Sequence, residues 1–264
     1  MRAVTPQVRL LVRPQVDRDA VYEYLKSIDG TEWMRNQNTK SPAELLIEFA
    51  GRLCYRSWKP GLNANVTKVR EDSREYFSNL LASGHGSVLE HASFTFLFQD
   101  VSRVFTHELV RHRAGVAISQ ESMRYVRLTD IPFWMPEWAK DDLEFVEKAN
   151  ELLYRMEWFQ EWMSSHFALD NEGVNFTFKK AMTSFMRRFA PDGVATSIVW
   201  TANIRALRHT ITMRTDFAAE EEIRIIFNEV AEIMSRECPD LMQDFEKQYE
   251  KSDIPMWVPG ARKV

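Results

Sequence analysis

The sequence has few cysteines, no long apolar run and no excess of basic charge, and each absence argues against a class of protein. Cys54 and Cys238 are the two cysteines among 264 residues, and because they lie far apart without a CxxC pattern, neither a disulfide framework nor a cysteine-ligated metal is indicated. The formal net charge of −4 disfavours a surface that follows long nucleic acids, since such binding needs a broad basic field. No apolar stretch reaches the length of a membrane span or of a signal-peptide core. We therefore expect a soluble, unprocessed, cytoplasmic protein.

Several motifs of nucleotide-binding and hydrolytic enzymes are also missing. The sequence contains neither GxGxxG nor GxxxxGK[ST], and it has no GxSxG. Four of the six histidines lie between His85 and His112, but there is no HExxH, and the neighbouring glutamates would diverge from them in a helix or strand. We predict no metal site and keep a metal-dependent hydrolase only as a minor alternative.

The hydrophobic pattern predicts an α+β fold with long helices, a small, mostly antiparallel sheet and a single domain over residues 1–264. Phe94, Phe96 and Phe98 alternate as they would on a half-buried strand. Apolar residues at helical spacing predict helices over Thr67–Ser83, Val101–Arg113, Glu137–His166, Asn175–Phe189, Asn203–Met213 and Ala218–Cys238. No Gly/Ser linker or internal repeat divides the chain.

One helix start has a complete local signature. Ser41 is the predicted N-cap, Pro42 the first helical residue and Glu44 the partner that completes a capping box. The polar stretch before it, from Asp29 to Lys40, reads as a loop or an insertion.

Basic side chains are concentrated in ELVRHRAGVAISQESMRYVRL, residues 108–128. The cluster contains Arg111, His112, Arg113, Arg124 and Arg127 around a run of small residues. A guanidinium grips phosphate through two hydrogen bonds and stays charged, so we favour an anion pocket. Two alternatives remain: cations that offset a helix macrodipole, and exposed ion pairs with the acidic side chains. Further arginines at predicted element ends favour the pocket, namely Arg187, Arg205, Arg208 and Arg214.

The serines of the same stretch have two interpretations. Ser119 or Ser122 could act as a nucleophile with His112 as its base, or could donate a hydrogen bond to a phosphate. We favour the second.

These motifs together resemble a known family. Arg111-His112-Arg113 followed by Ser122 and an Arg-Tyr pair closely resembles the signature of the flavin-dependent thymidylate synthases. GHGSVLEH at 84–91 resembles that family's GHxSxxEH, WTANIRAL at 200–207 its WTxNxRxL, and MRTD at 213–216 its LRxD. The resemblance covers about residues 53–216 in the family's order.

The resemblance implies a reaction and its participants. Such enzymes methylate dUMP to dTMP with methylenetetrahydrofolate as carbon donor, FAD as redox cofactor and NADPH as reductant, without a covalent enzyme nucleophile, and they form homotetramers with shared active sites. We expect the same here. The competing hypothesis is a nucleic-acid-binding module that uses the Arg111–Arg127 cluster, with Tyr125, Phe133 and Trp134 as stacking rings.

The resemblance also implies roles for individual residues. The catalytic residues would be Arg214, Ser122 and His112. The cofactor-binding residues would be Ser87, Glu90, Arg111, His112, Arg113, Ser119, Asn203, Arg205 and His209. The substrate-binding residues would be Glu108, Gln120, Glu121, Ser122, Arg124, Arg187 and Arg214.

The sequence departs from the family pattern in three places. Eight residues separate Arg113 from Ser122, one more than is usual. Ala218 stands where some members carry a flavin-contacting histidine. The segment 17–40 looks like an insertion into the minimal family core.

Overall fold

A computed structural model describes residues 2–36, 41–124, 128, 130–250 and 253–261, and over these residues the chain is mixed helix and sheet. The helices are α1 (Arg18–Ser27), α2 (Glu32–Asn36), α3 (Pro42–Tyr55), α4 (Ser73–Ala82), α5 (Arg103–Leu109), α6 (Glu137–Lys140), α7 (Leu143–His166), α8 (Phe176–Met186), α9 (Ile204–Arg214) and α10 (Glu221–Glu237), with 3₁₀ helices at Gly86–His91 and Arg187–Phe189. The strands are β1 (Arg2–Ala3), β2 (Gln7–Val12), β3 (Ser93–Ser102), β4 (Val116–Gln120), β5 (Pro132–Phe133), β6 (Ala195–Asn203), β7 (Phe245–Gln248) and β8 (Met256–Pro259). The predicted α+β fold class is confirmed.

The strands form one four-stranded sheet and two strand pairs. The larger sheet has the order β2-β3-β6-β4, β1 pairs with β5 in parallel, and β7 pairs with β8 antiparallel. On β3 the rings of Phe94, Phe96 and Phe98 are all buried while the residues between them are only half-buried, which confirms the predicted alternation.

The chain divides into two compact units. Unit 1 comprises Met1–Arg9, Leu97–Arg111 and Ile118–Trp200, and unit 2 comprises Leu10–Phe96, His112–Ala117 and Thr201–Val264. The cores of unit 1 include one cluster of Leu128, Ile131, Leu153 and Val194 and another of Met163, Leu169 and Met186. A single domain over residues 1–264 stays a prediction.

The segment predicted to be an insertion is built into a core of unit 2. Helices α1 and α2 contribute Val21, Leu25 and Trp33, which pack with Leu45 and Trp58. The prediction that Asp29–Lys40 is a loop was wrong at α2, and residues 37–40 lie outside the described part of the chain. Whether 17–40 is an insertion stays a prediction.

The capping box predicted at α3 is only half correct. Ser41 is the N-cap residue and Pro42 begins the helix, but the Ser41 side chain makes no capping hydrogen bond. Glu44 is fully buried, and its Oε1 instead accepts hydrogen bonds from the backbone N–H groups of Asp240 (2.7 Å) and Leu241 (3.1 Å). Burial raises the pKa of the Glu44 carboxyl to about 7, although those two bonds act against the rise. The glutamate therefore ties α3 to the chain after α10.

Two predicted helices begin late, and two end or change type early. α4 starts at Ser73 rather than at Thr67, because Asp72 caps it by accepting from the Glu75 N–H. α10 starts at Glu221 rather than at Ala218, with Glu220 as its cap. The helix predicted over 101–113 spans only α5, and the one predicted over 175–189 ends as α8 before a 3₁₀ turn. Arg111 and Arg113 therefore follow α5 instead of ending it.

The long helix predicted over 137–166 is two helices. Asp142 lies between α6 and α7, and its Oδ1 accepts from the Phe145 N–H at 3.0 Å. This side-chain cap starts a new helix within a stretch that contains neither proline nor glycine.

Candidate active site

The N-terminus of α9 is packed tightly against the glycine that follows the RHR motif. Gly115 has a φ of +71°, and a Cβ placed on it would lie 2.5 Å from Asn203 Nδ2. Asn203 caps α9 by accepting from the Ala206 N–H at 2.9 Å, and its own N–H donates to the Gly115 carbonyl at 3.0 Å. Only glycine fits this position, because any side chain would displace the cap.

A cavity of about 420 Å³, here called the α9 cavity, opens beside this contact. Its lining residues are Glu90, Ala114, Gly115, Asn203, Arg205, Ala206 and His209. Arg205 Nη1 donates to Glu90 Oε1 at 2.7 Å across the cavity wall, and both side chains are about half exposed. Four residues predicted to bind the cofactor, Glu90, Asn203, Arg205 and His209, are thus brought together. Ser87 belongs to the same 3₁₀ helix as Glu90 and is exposed.

The RHR motif meets the end of α9 through a hydrogen bond. Arg214 Nε donates to His112 Nε2 at 2.8 Å. Because Nε2 accepts, the His112 imidazole must be neutral with its proton on Nδ1. The His112 ring also lies edge-on to that of His209, with ring centroids 5.8 Å apart. The contact orients the half-buried Arg214 guanidinium, and it joins two predicted catalytic residues that are 102 positions apart.

Unit 1 holds most of the residues predicted to bind substrate. Gln120, at the end of β4, donates from Nε2 to Thr106 Oγ1 at 3.0 Å, and the Glu121 N–H donates to the Ser197 carbonyl at 3.0 Å. Ser122 Oγ accepts from the Arg124 N–H at 3.3 Å, as a turn-forming serine does. Glu108 and Arg187 are the other residues of unit 1 predicted to bind substrate, and unit 1 also contains Arg111 and Ser119, which were predicted to bind the cofactor. Arg113 belongs to unit 2 and is exposed.

Arg103 is a candidate anion-binding residue that the sequence motifs did not indicate. It lines a cavity of about 270 Å³ in unit 1 together with Glu121, and its Nε is buried without a hydrogen-bond partner among the described residues. Its Nη2 donates to the Glu121 carbonyl at 3.3 Å. Burial is the larger cause and the neighbouring charge of Arg187 the smaller cause of a lowered pKa of the Arg103 guanidinium. The second cause means that the two cations are close enough to repel each other. A bound anion would relieve that repulsion, and the only sequence signal was an arginine directly after the aromatic strand.

The predicted residues are divided unequally between the units. Unit 2 carries most of those predicted to bind cofactor, together with Arg214. Tyr125 and Arg127, which the nucleic-acid hypothesis needs, lie outside the described residues. Tyr125 is also the tyrosine of the Arg-Tyr pair in the family signature.

Within the described part of the chain, no three His, Cys, Asp or Glu side chains are arranged to hold a metal ion. Among the described helices, none combines the length and the apolar character needed to cross a bilayer.

Comparison with known proteins agrees with the resemblance. A profile of the family described as "Thymidylate synthase complementing protein" matches residues 37–240. A flavin-dependent thymidylate synthase of Mycolicibacterium gilvum is 35% identical over 215 residues, covering 76% of this chain and 79% of the relative. Those of Mycolicibacterium vanbaalenii and Mycobacterium tuberculosis strain H37Ra are 36% and 35% identical over 212 residues, with the same coverage.

The matched region, residues 37–240, contains every residue predicted to bind cofactor or substrate. The α+β fold, the RHR motif joined to Arg214 and the extent of these matches define a methyltransferase of the thymidylate synthase class. This chain belongs to the flavin-dependent thymidylate synthase family.

Proposed function

We propose that this protein converts dUMP to dTMP, with methylenetetrahydrofolate as carbon donor, FAD as redox cofactor and NADPH as reductant. The observation that carries the proposal is the α9 cavity, whose lining includes His209, next to the hydrogen bond between His112 and Arg214. A cofactor pocket and an oriented guanidinium are the two parts that such a reaction needs from the protein.

The donors at the α9 cavity fit a flavin dinucleotide. The N-terminus of α9 places a positive helix dipole at the cavity, where the half-exposed guanidinium of Arg205 adds a positive charge that its ion pair with Glu90 offsets in part. Both suit the anionic pyrophosphate of FAD. The residues proposed to hold the cofactor are Ser87, Glu90, Arg111, His112, Arg113, Ser119, Asn203, Arg205 and His209.

The protein's own residues would bind and polarise the substrate. A bound flavin supplies the redox chemistry. Arg214, oriented by His112, would donate hydrogen bonds to a uracil carbonyl and stabilise negative charge that develops on the ring. Ser122 would contribute a hydrogen bond rather than a nucleophile. The other residues proposed to bind dUMP are Glu108, Gln120, Glu121, Arg124 and Arg187.

A cysteine nucleophile is not expected. Cys238 is fully buried at the end of α10, with its Sγ 3.7 Å from Ser41 Oγ. Burial and, to a smaller extent, the charge of Glu44 raise the pKa of the thiol far above neutrality, so the reactive thiolate does not form. Cys238→Ala should retain dTMP formation within about two-fold, measured as turnover of purified enzyme, because only packing is lost. Cys54→Ser at the exposed cysteine is the companion variant. Complete inactivity of a folded Cys238→Ala protein would contradict the proposed mechanism.

Gly115→Ala should weaken FAD binding about ten-fold or more, because the new methyl group would push Asn203 off the start of α9. The dissociation constant can be measured from flavin fluorescence. Gly61→Ala is a matched control, since Gly61 also has a positive φ (+89°) but has open space around its Cβ position. Backbone strain should cost both variants similar stability, and Gly115→Ala should lose more in total because the cap of α9 is displaced as well. Equal FAD affinity in both would show that the contact with Asn203 is irrelevant to the cofactor.

We further propose a cytoplasmic homotetramer. Large apolar side chains are exposed on α7 and α8, including Leu143 (80% exposed), Trp158 (53%) and Phe176 (69%). Large apolar side chains left exposed on helices are typical of a surface that meets another subunit. Sedimentation velocity of the purified protein tests this assembly, and a monomer at micromolar concentration would refute it.

The proposed function is tested by the visible spectrum of the purified protein with added FAD, recorded before and after titration with dUMP. A bound-flavin spectrum that shifts on dUMP addition supports a nucleotide lying against the flavin ring. No flavin binding even with excess FAD would refute the proposal and would make oligonucleotide binding the next hypothesis to test.

A further inference from the structure

Unit 2 contains a second large cavity whose charge differs from that of the α9 cavity. This cavity, here called the Lys68 cavity, has a volume of about 500 Å³ and is lined in part by Tyr55, Lys68, Arg70, Asn79 and His85. Its lining includes two cationic side chains and no acidic residue among those described. The α9 cavity, by contrast, is lined by Glu90 beside Arg205, and the cavity of about 270 Å³ in unit 1 is lined by Glu121, Asp100 and Asp130. The Lys68 cavity therefore favours an anionic ligand.

The cationic wall is held in place by a buried network. The Arg70 carbonyl accepts a hydrogen bond of 2.6 Å from Nη2 of Arg52, which is only 1% exposed. Arg70 also has its Nε 3.4 Å from a Glu75 carboxylate oxygen, in an ion pair that is exposed to solvent. Lys68 is exposed, and within the described residues no carboxylate lies within ion-pair distance of it. Only the backbone is held in place, so the Lys68 side chain still loses rotamer entropy when it binds an anion.

Aromatic rings also line the Lys68 cavity. The rings of Tyr55 and His85 lie edge to face with centroids 6.0 Å apart, and Tyr55 is 56% exposed. An exposed tyrosine at the end of α3 offers a flat apolar face to a planar ring. The cavity thus suits a ligand that has one flat ring and a short anionic chain.

The Lys68 cavity adjoins the proposed flavin site along the GHGSVLEH motif. His85 precedes the 3₁₀ helix at Gly86–His91, and Glu90 of the α9 cavity lies near the other end of that helix. Five residues at a rise of about 2 Å each separate the two walls by roughly 10 Å. A ligand in the Lys68 cavity could therefore extend to the flavin.

We propose that the Lys68 cavity binds the p-aminobenzoyl-glutamate end of the folate co-substrate, with Lys68 and Arg70 facing its carboxylates and the benzoyl ring lying against Tyr55. The inference rests on the proposed function. NADPH is the other anionic co-substrate, but its two ring systems and three phosphates need more than one such cavity, whereas one ring with carboxylates matches this lining.

The test uses FAD-loaded enzyme and isothermal titration with pteroyltriglutamate, pteroic acid and NADP⁺ at low salt. Pteroic acid lacks the glutamate carboxylates, so the wild-type protein should bind pteroyltriglutamate more tightly. Lys68→Gln should weaken the binding of pteroyltriglutamate about five-fold and leave the binding of pteroic acid unchanged. Adding Arg70→Gln should weaken pteroyltriglutamate binding further. Lys26→Gln, at an exposed lysine of α1 in the same unit, is the matched control and should leave the affinity for all three ligands unchanged.

Three outcomes would overturn the inference. Equal pteroyltriglutamate affinity in the wild type and Lys68→Gln would show that Lys68 does not contact the ligand. Absence of pteroyltriglutamate binding to the wild type would show that the cavity does not bind the folate tail. A loss confined to NADP⁺ would reassign the cations to the phosphates of the nicotinamide dinucleotide. The dUMP-dependent flavin spectrum, recorded on the same samples, separates these failures from failure of the proposed function.

Discussion

Arg214→Ala is expected to abolish release of tritium from carbon 5 of labelled dUMP, a loss of about 10²–10³-fold or more, while FAD stays bound. The reason is that the guanidinium held by His112 would be the group that polarises the uracil ring, and an alanine leaves no donor there. Arg214→Lys should be nearly as inactive, because an ammonium cannot bond to His112 and reproduce the planar fork at the same time.

The Arg214 result needs a control for charge and folding. Arg18→Ala removes an exposed arginine at the start of α1, so it should keep full activity. The flavin spectrum of each variant shows whether the cofactor site is intact. If Arg214→Ala turned over dUMP at the wild-type rate, its assigned role would be wrong.

Glu48→Ala is expected to destabilise the protein by about 3–5 kcal/mol, because it would leave a buried guanidinium without its carboxylate. Glu48 is fully buried and accepts hydrogen bonds from Trp33 Nε1 (3.0 Å), Arg52 Nε (2.7 Å) and Ser73 Oγ (2.7 Å). Arg52 also stacks over the Tyr76 ring, with its Cζ 4.5 Å from the ring centroid. This network joins α2, α3 and α4, so its loss should loosen all three helices together.

Urea denaturation at a fixed protein concentration measures this effect, since oligomerisation makes apparent stability depend on concentration. Glu23→Ala, at an exposed glutamate of α1, should change stability by less than about 0.5 kcal/mol. The double variant Glu48→Ala/Arg52→Met should regain much of the loss, because the unpaired charge is then gone. A Glu48→Ala protein as stable as the control would mean that the network contributes nothing net.

Local signals predicted the elements that carry the site. The alternating phenylalanines of β3 and the apolar spacing of α9 are properties of neighbouring residues. α9 lies within one residue of its predicted bounds, and β3 contains the predicted alternation but extends further, to Ser102. Where a helix began later than predicted, a side-chain cap set its first residue. Asp142, which separates α6 from α7, is the clearest case.

Residue types and their order, therefore, were enough to place the chain in its family and to name Arg205, His209 and Arg214 as candidates. Which side chains meet was decided only by the tertiary structure. Glu44 finds its partners at Asp240 and Leu241, far away in the sequence, although the local pattern predicted a capping box. The orientation of Arg214 by His112 likewise depends on residues that only folding brings together. The physical reason is that hydrogen bonds and burial act over a few ångströms of space, and sequence patterns record only neighbours along the chain.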